Sequence, residues 1–298
     1  MNLLVTGAWQ SAAEYLPALS RQGHEICFMQ QEKDALPCDP GWVEGIIGNG
    51  IFLSHAIESF PRLRYIQLTS AGYDRVSRDY VKSRGITIRN ARGVYSAPMA
   101  EMALAGVLYL FKGMKGFCAS QENHRWEKQR ELRELTGKNV AIVGCGSVGT
   151  ECAGRFRAFG CRIIGVDPFG RKEDSCDAMR DMAELDPVLE EADIVIVAAP
   201  LTEETKGLLD SRRLSHMKDG AVLVNIARGA LVETRALIKE LGRISAVLDV
   251  FEEEPLPEDS PLWDYENVVI TPHNSFVGEG NGRRMGELIL KNLMEYGG

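Results

Sequence analysis

The stretch VAIVGCGSVG, residues 140–149, joins a short apolar run to three closely spaced glycines. Four consecutive apolar residues, 140–143, are typical of a strand that is buried on both faces of a parallel sheet. Helical periodicity follows over residues 148–159, so the glycines fall in the turn between a strand and a helix. The stretch therefore predicts a strand–turn–helix unit, from which parallel α/β sheets are built.

The three glycines, Gly144, Gly146 and Gly149, have the G-x-G-x-x-G spacing of a dinucleotide-binding loop. The second glycine lets the backbone approach a pyrophosphate at the N-terminus of the helix. The next predicted strand ends at Asp167, 18 residues after Gly149, and a ribose-binding carboxylate is expected after ~20. Because a carboxylate repels a 2′-phosphate, NAD is favoured over NADP, although Arg171 would offset the repulsion. A plain glycine turn followed by a helix-capping Asp would give the same pattern.

The composition is that of a soluble globular protein with a mild negative charge. Its 298 residues suffice for about two domains. Because 45% of them are hydrophobic and 26% charged, a mainly disordered chain is excluded. The formal net charge of −8 argues against nucleic acid as a partner, since phosphate binding needs clustered Lys and Arg.

Targeting signals and metal-binding patterns are not recognisable in the sequence. The amino terminus, MNLLVTGAW, lacks the basic and apolar regions of a signal peptide. The longest apolar run, 102–111, is far shorter than the ~20 residues of a membrane span. Seven cysteines occur without CxxC pairs or His/Cys clusters, as expected for reduced thiols and no structural zinc. We therefore expect a cytoplasmic protein without a metal site.

Short apolar runs alternate with helical patterns along nearly the whole chain. The first part has predicted strands at 2–6, 25–29, 45–47, 65–68 and 87–89, with helices at 12–21, 55–59 and 76–83. The second part has predicted strands at 140–143, 162–166, 194–198, 222–226, 245–248 and 268–271, with helices at 148–159, 183–190, 212–217, 233–241 and 282–296. This alternation predicts parallel sheets covered by helices on both faces, and the six later strands match a dinucleotide-binding sheet.

Residues 97 to about 117 have the pattern of one long helix that joins the two parts. Pro98 falls in its first turn, where the missing N–H costs least. The predicted helix is apolar on nearly every side, so it must be buried. A subunit interface and a simple core helix both fit this pattern.

Two side chains at the ends of predicted strands are candidates for chemistry. His273 lies in ITPHN, residues 270–274, and Arg228 ends the run NIAR, residues 225–228. In open α/β sheets, ligands bind beyond the carboxyl ends of the strands. There, a histidine can act as acid or base and a guanidinium can grip a carboxylate through two bonds. A structural histidine and a surface ion pair are the alternatives.

The acidic run DVFEEEP, residues 249–255, follows another predicted strand. One of its carboxylates could stabilise the protonated form of His273. The spacing does not say which glutamate has this role, and such a run is commonly just solvated charge.

Four motifs in this order resemble the D-2-hydroxyacid dehydrogenases, which are D-isomer-specific and NAD-dependent: GCGSVG (144–149), NIARGALV (225–232), DVFEEEP (249–255) and TPHN (271–274). LTSAGYD (68–74), NARG (90–93) and APLT (199–202) extend the match over nearly the whole chain. The resemblance implies two doubly wound parallel-sheet α/β domains. Residues 98–275 would form a Rossmann NAD-binding domain, and 1–97 with 276–298 a discontinuous, flavodoxin-like substrate domain. It also implies a homodimer through the helix at 98–117.

The resemblance also implies the roles of individual residues in hydride transfer between NAD(H) and a small 2-keto or 2-hydroxy acid, in a cleft between the domains. Arg228 would bind the substrate, and His273, paired with Glu254, would be the acid and base. Backbone groups of Ser70, Ala71 and Gly72 would bind the substrate carboxylate. The implied cofactor contacts are Gly144, Gly146, Ser147, Val148, Gly149, Asp167, Ala199, Pro200, Ile226, Ala227 and Asp249.

The sequence departs from the family pattern at a few positions and leaves the substrate open. Val148 replaces the commoner Ile, and Asn274-Ser275 follows the histidine where small or apolar residues are usual. Candidate substrates are 3-phosphoglycerate and glyoxylate or hydroxypyruvate. The alternative is a non-catalytic, NADH-sensing interaction protein of the same fold. Formate oxidation matches less well, since that branch carries Gln where Glu254 stands.

Overall fold

The computed structural model describes residues 1–168 and 176–297, which form two compact units. The first unit is Met1–Tyr95 with Gly278–Gly298, and the second is Ser96–Val277. These boundaries lie two residues from those expected at 97/98 and 275/276. The assignment of the first unit to the substrate and the second to NAD stays a prediction.

The first unit contains a five-stranded parallel sheet in the order β2-β1-β3-β4-β5. Its strands are β1 (Asn2–Thr6), β2 (Glu25–Met29), β3 (Gly45–Gly48), β4 (Tyr65–Leu68) and β5 (Thr87–Arg89), with helices α1 (Ala12–Arg21) and α2 (Arg78–Ser83). This is the flavodoxin-like strand order. The helix expected at 55–59 is wrong: only a single 3₁₀ turn, Ile57–Ser59, forms there.

The second unit contains a seven-stranded parallel sheet in the order β12-β11-β10-β9-β6-β7-β8. Its strands are β6 (Asn139–Val143), β7 (Arg162–Val166), β8 (Ala178–Arg180), β9 (Ile194–Val197), β10 (Val222–Asn225), β11 (Ser245–Leu248) and β12 (Val268–Ile270). Its helices are α3 (Ser96–Phe111), α4 (Met114–Glu122), α5 (Ser147–Ala158), α6 (Leu185–Glu191), α7 (Ser211–His216) and α8 (Thr234–Glu240). The predicted α/β class, with two doubly wound parallel sheets, is confirmed.

The strand order of the second unit creates a crevice between β6 and β9. From β6 the chain proceeds to β7 and β8 on one side, and β9 then starts the other side. Ligands bind at such a switch point, beyond the carboxyl ends of the strands. The inner strands are fully buried apolar runs because helices cover both faces, which is why they were predictable. The edge strand β8 was missed because its three residues are half-exposed and not an apolar run.

The single long helix expected over 97–117 is wrong, since the structure has two helices there. Gly113 adopts a left-handed conformation with φ of +60° between α3 and α4, and the two helices are bent by 68°. Only one face of α3 is buried, and Gly106 lets it approach Val247 of β11 closely. In the described part of the chain, no single helix is long and apolar enough to cross a bilayer, and α3 with α4 meets that test only as this bent pair.

The C-terminal helix α9 (Asn281–Gly297) belongs to the first unit. Gly286 packs directly against the ring of Tyr15, where a Cβ atom would lie 2.0 Å from the ring carbon Cζ. The Asn292 amide donates a hydrogen bond of 2.8 Å to Gln67 Oε1, and both side chains are buried. Because Gln67 lies in β4, this bond connects the C-terminal helix to an inner strand of the first sheet.

Candidate active site

The glycine loop lies at the crevice between β6 and β9, where two of its glycines are required by close backbone contacts. Gly144 has φ of +97°, and a Cβ atom there would lie 2.5 Å from the backbone nitrogen of Ala199. A Cβ atom on Gly149 would lie 2.1 Å from the carbonyl oxygen of Gly144. Any side chain at either position would therefore displace the loop from the sheet.

The third glycine of the loop meets the requirements of a pyrophosphate site. Gly146 is the N-cap of the 12-residue helix α5 and provides no side-chain cap. A Cβ atom on Gly146 would meet open space, and Ser147 and Val148 in the first turn are half-buried. The N–H groups of a helix N-terminus bind anions, so these residues fit the pyrophosphate of NAD.

Asp167 follows β7, next to the glycine loop, as the sequence predicted. The backbone N–H of Cys145 donates a hydrogen bond of 2.9 Å to Asp167 Oδ2. This bond fixes the carboxylate relative to the loop. Arg171, whose positive charge would offset the repulsion between Asp167 and a 2′-phosphate, lies outside the described residues.

The remaining predicted cofactor contacts lie at the carboxyl ends of β9 and β10. Ala199 is buried against Gly144, and Pro200 is exposed beside it. Ile226 and Ala227 are 1% and 8% exposed. They follow the neighbouring strand and continue the same edge of the sheet.

His273 and Glu254 form a close pair beyond the ends of β12 and β11. His273 Nδ1 lies 2.7 Å from Glu254 Oε2, and both side chains are partly exposed. Glu254 Oε1 accepts a hydrogen bond of 3.0 Å from the backbone N–H of Phe251, which orients the carboxylate. Since Nδ1 faces Glu254, it carries the proton of this hydrogen bond, and Nε2 remains for a substrate.

The acidic run separates into residues with different contacts. The Glu252 carboxylate accepts a hydrogen bond of 2.7 Å from the backbone N–H of Thr234, at the start of α8. It therefore stabilises a helix N-terminus. Of the three consecutive glutamates, the structure places Glu254 at the histidine, which the spacing alone did not establish.

Asp249 organises the turn that carries His273, a role that the sequence did not predict. Asp249 is 1% exposed, and its carboxylate accepts hydrogen bonds from the Thr271 hydroxyl (2.6 Å) and the backbone N–H of Asn274 (2.8 Å). Both the backbone N–H and the hydroxyl of Ser275 donate to it as well. The Asp249 carbonyl accepts from the N–H of His273 at 2.8 Å. These bonds hold His273 at φ of +51°, a conformation that is unfavourable for a non-glycine residue and persists only where its surroundings fix it.

Ser275 belongs to this network and is also a departure from the family pattern in the sequence. Ser275 is 2% exposed, and its hydroxyl group donates a hydrogen bond to the Asp249 carboxylate. The sequence showed Asn274-Ser275 as a departure from small or apolar residues, but the partner lies 26 positions away. The contact of Asp249 with the cofactor stays a prediction.

Arg228 extends from a turn that is pressed against the chain leading to Glu254. Asn225 donates an amide hydrogen bond of 3.0 Å to the Arg228 carbonyl. A Cβ atom on Gly229 would lie 1.8 Å from the carbonyl carbon of Phe251, so only glycine fits beside Arg228. The half-buried guanidinium donates to the Ala227 carbonyl at 2.7 Å. The ends of β10, β11 and β12 therefore present Arg228, Glu254 and His273 along one edge of the sheet.

The predicted substrate loop of the first unit lies at the carboxyl end of β4. The Ser70 hydroxyl donates a hydrogen bond of 3.0 Å to the Gly72 carbonyl. The amide of Asn90 donates to the Ala71 carbonyl at 2.5 Å. The loop is thus fixed by hydrogen bonds within its own unit.

No metal site is evident in the part of the chain that the structure describes. Within residues 1–168 and 176–297, no three His, Cys, Asp or Glu side chains are grouped so that they could hold a metal ion. Acid–base groups and a dinucleotide loop are the chemistry that these residues offer.

Comparison with known families finds one that covers more than half of the chain. Residues 104–275 match the model of the D-isomer specific 2-hydroxyacid dehydrogenase, NAD binding domain. This segment contains the glycine loop, Arg228, Glu254 and His273.

Curated relatives and solved structures agree with this match. The chain is 38% identical to a glyoxylate reductase of Pyrococcus furiosus over 251 residues, which are 80% of this chain and 74% of that protein. It is 34% identical to a hydroxypyruvate reductase of Thermotoga maritima, over 81% of this chain and 80% of that protein. A D-lactate dehydrogenase of Aquifex aeolicus, solved with NAD and lactic acid, has 26% identity and a TM-score of 0.80, with 99% of this chain and 95% of that chain covered.

Proposed function

The chain belongs to the D-isomer-specific 2-hydroxyacid dehydrogenase family, and we propose that it reduces a small 2-keto acid to the D-2-hydroxy acid with NADH, in a reversible reaction. The observation that carries this proposal is the contact of 2.7 Å between His273 Nδ1 and Glu254 Oε2. It gives an acid–base group at the sheet edge that also presents Arg228 and the glycine loop. The intact pair favours catalysis over a non-catalytic, NADH-sensing role.

Arg228, His273 and Glu254 have different roles in the proposed reaction. Arg228 orients the substrate carboxylate and polarises the keto group, because its planar guanidinium donates two parallel hydrogen bonds. His273 Nε2 donates a proton to the carbonyl oxygen, and Glu254 stabilises the histidine cation before that transfer. NADH, when bound, supplies the hydride for C2. In the oxidative direction, neutral His273 accepts the proton.

The NAD-binding residues proposed for this chain are those predicted from the sequence. Gly144, Gly146 and Gly149 with the first turn of α5 would hold the pyrophosphate, and Asp167 the ribose. In the first unit, we propose that the loop Ser70–Gly72 contacts the substrate carboxylate.

We propose glyoxylate and hydroxypyruvate as the first substrates to test. The names of the relatives in Pyrococcus furiosus and Thermotoga maritima support this choice. The test is the oxidation of NADH, followed by absorbance, with glyoxylate, hydroxypyruvate, pyruvate, 2-ketoglutarate and 3-phosphohydroxypyruvate. Either glyoxylate or hydroxypyruvate is expected to have the highest kcat/KM of the five keto acids. Binding of NADH without turnover of any keto acid would instead support the NADH-sensing alternative.

Asp167→Asn is expected to lower the preference for NADH over NADPH by about tenfold or more. A hydrogen bond to a charged group contributes about 1.5–3 kcal/mol, and the variant also removes the repulsion of a 2′-phosphate. The amide oxygen of Asn can still accept from Cys145 N–H, so the loop contact is retained. The measurement is kcat/KM with each cofactor.

The matched control for this variant is Asp259→Asn, at an exposed position outside the loop. It is expected to leave the cofactor ratio unchanged. An unchanged ratio in Asp167→Asn as well would remove Asp167 from the cofactor site.

We propose that the protein is a cytoplasmic homodimer formed through α3 and α4, with neither nucleic acid nor a membrane as a partner. Apolar side chains on this part of the second unit are only half-buried in one chain, among them Leu104 and Leu108. Met114 is 40% exposed and Trp126 is 94% exposed. Exposed apolar side chains in one region are typical of an interaction surface. We expect sedimentation equilibrium to give a molecular mass of twice the 32.9 kDa of one chain.

A further inference from the structure

Two cysteines of the second unit lie side by side behind the glycine loop. A Cβ atom built on Gly165 of β7 would lie 2.7 Å from Cys145 Sγ and 3.1 Å from Cys176 Sγ. Both sulfurs are therefore close to the same point, and a hydrogen bond joins the two thiols. Because Gly165 has no side chain, both sulfurs can pack against β7 at this position.

This thiol pair is directly linked to the backbone of the predicted NAD site. Cys145 lies between Gly144 and Gly146, and its N–H group holds the carboxylate of Asp167 at 2.9 Å. Gly144 lies close to the backbone of Ala199, since a Cβ atom on it would be 2.5 Å from the Ala199 nitrogen. A change at the Cys145 side chain therefore acts on both the pyrophosphate turn and the ribose-binding carboxylate.

We propose that Cys145 and Cys176 form a thiol–disulfide site, which a small disulfide such as glutathione disulfide oxidises and which lowers the affinity for NAD(H) when oxidised. The inference rests on the proposed placement of NAD at the glycine loop. It assigns a chemical modification to two residues that the dehydrogenase reaction itself does not use.

The two thiols differ in their readiness to react. The hydrogen bond with Cys176, together with burial, raises the pKa of the Cys145 thiol far above its usual range. Cys145 is therefore the poorer nucleophile of the two at neutral pH. Cys176 is also the more accessible of the two, since it is half-buried and Cys145 is 9% exposed. The attacking thiolate is thus Cys176, and its reaction accelerates as the pH rises.

The oxidation proceeds by two thiol–disulfide exchanges. The Cys176 thiolate attacks one sulfur of glutathione disulfide, whose S–S bond breaks, and a mixed disulfide forms as one glutathione thiolate leaves. Formation of the mixed disulfide removes the thiol–thiol hydrogen bond that contributes most to the raised pKa of Cys145. Cys145 then loses its proton to a glutathione thiolate and attacks the Cys176 sulfur, which releases the second glutathione. In sum, two protein thiols are oxidised to one disulfide and one glutathione disulfide is reduced to two glutathiones.

The disulfide lowers NAD(H) affinity because bond formation draws together two sulfurs that are only in non-bonded contact. The resulting movement falls on Cys145, whose neighbours on both sides are glycines of the phosphate turn. We expect the Kd for NADH to rise about tenfold, within the usual range of coupling between two sites. By reciprocity, bound NADH lowers the equilibrium constant for oxidation of the two thiols by the same factor of about ten. For a two-electron couple, this factor raises the reduction potential of the disulfide by about 30 mV.

The experiment uses the full chain with Cys118→Ser, because Cys118 is exposed on α4 and would form disulfides between molecules. The protein is equilibrated in glutathione buffers of increasing oxidation at pH 8, with and without NADH. Peptide mass spectrometry measures the Cys145–Cys176 disulfide, and fluorescence titration measures the Kd for NADH. The expected result is this disulfide, a Kd about tenfold higher, and full recovery after dithiothreitol.

Two further variants separate this site from other effects of oxidation. Cys176→Ser is expected to bind NADH like the reduced protein in every buffer. Cys38→Ser removes the hydrogen-bonded thiol pair of the first unit, Cys27 and Cys38, and is expected to lose NADH affinity on oxidation as the parent does. The inference is overturned if the Cys145–Cys176 disulfide does not form, if it forms without a change in Kd, or if Cys176→Ser responds like the parent.

The reduced protein distinguishes failure of this inference from failure of the proposed function. If reduced protein does not bind NADH, the placement of the cofactor is wrong, and the inference is overturned with it. If reduced protein binds NADH and turns over a keto acid while oxidation has no effect, only the inference is wrong.

Discussion

His273→Asn is expected to lower kcat for the best keto acid by about 10²–10⁴-fold, the usual contribution of a positioned acid–base group. Asn has a similar size and can still donate a hydrogen bond to Glu254, but it cannot transfer a proton. The turn itself is held by Asp249 through backbone and hydroxyl groups, so the variant should keep the fold. The Kd for NADH is therefore expected to stay within a factor of about two, since the variant leaves the glycine loop intact.

The protein contains a matched control for this variant. His216 also pairs with a glutamate, with its Nδ1 2.8 Å from Glu190 Oε1, nearly the distance found at His273. It lies at the end of the short helix α7, outside the predicted site. His216→Asn should therefore leave kcat unchanged, because it removes the same kind of pair elsewhere. Retention of wild-type kcat in His273→Asn would show that another group transfers the proton.

The fold was predictable wherever a local pattern determined it. Strands such as β9 are unbroken runs of Val and Ile, because helices cover both faces of the sheet. The glycine loop was predictable because its three glycines have a recognisable spacing within one strand–turn–helix unit. The break at Gly113 was missed, although a glycine after the apolar run is a recognised helix-end signal.

The parts of the site that escaped prediction depend on contacts between distant positions. The acidic run gave no local reason to prefer Glu254, and the choice came from resemblance alone. In the structure, Glu252 is engaged by the N-terminus of α8, and Glu254 remains for His273. The buried bond between Asp249 and Ser275 joins residues 26 positions apart. The contact between Cys145 and Cys176 likewise has no motif, because folding alone brings the two thiols together.

Arg228→Lys is expected to lower kcat/KM by about 10²–10³-fold, which is the usual effect of losing a donor that stabilises developing oxygen charge. Lysine keeps the positive charge but lacks the planar fork that binds a carboxylate and a carbonyl oxygen together. Because Gly229 presses the turn against the Phe251 backbone, the chain is not free to move and compensate for the different side chain. The loss should appear in both KM and kcat, since the guanidinium orients the acid and polarises its keto group.

Arg235→Lys, on the exposed face of α8, is the matched control and is expected to retain wild-type kcat/KM. NADH binding and the thermal midpoint should be unchanged in both variants, since each keeps the positive charge and neither position belongs to the glycine loop. A value of kcat/KM in Arg228→Lys within threefold of wild type would mean that charge alone is sufficient. In that case the proposal that Arg228 binds the substrate through two hydrogen bonds would be wrong. A further test is Arg228→Ala with guanidinium ion added to the assay. Recovery of activity on this addition would support the proposal directly.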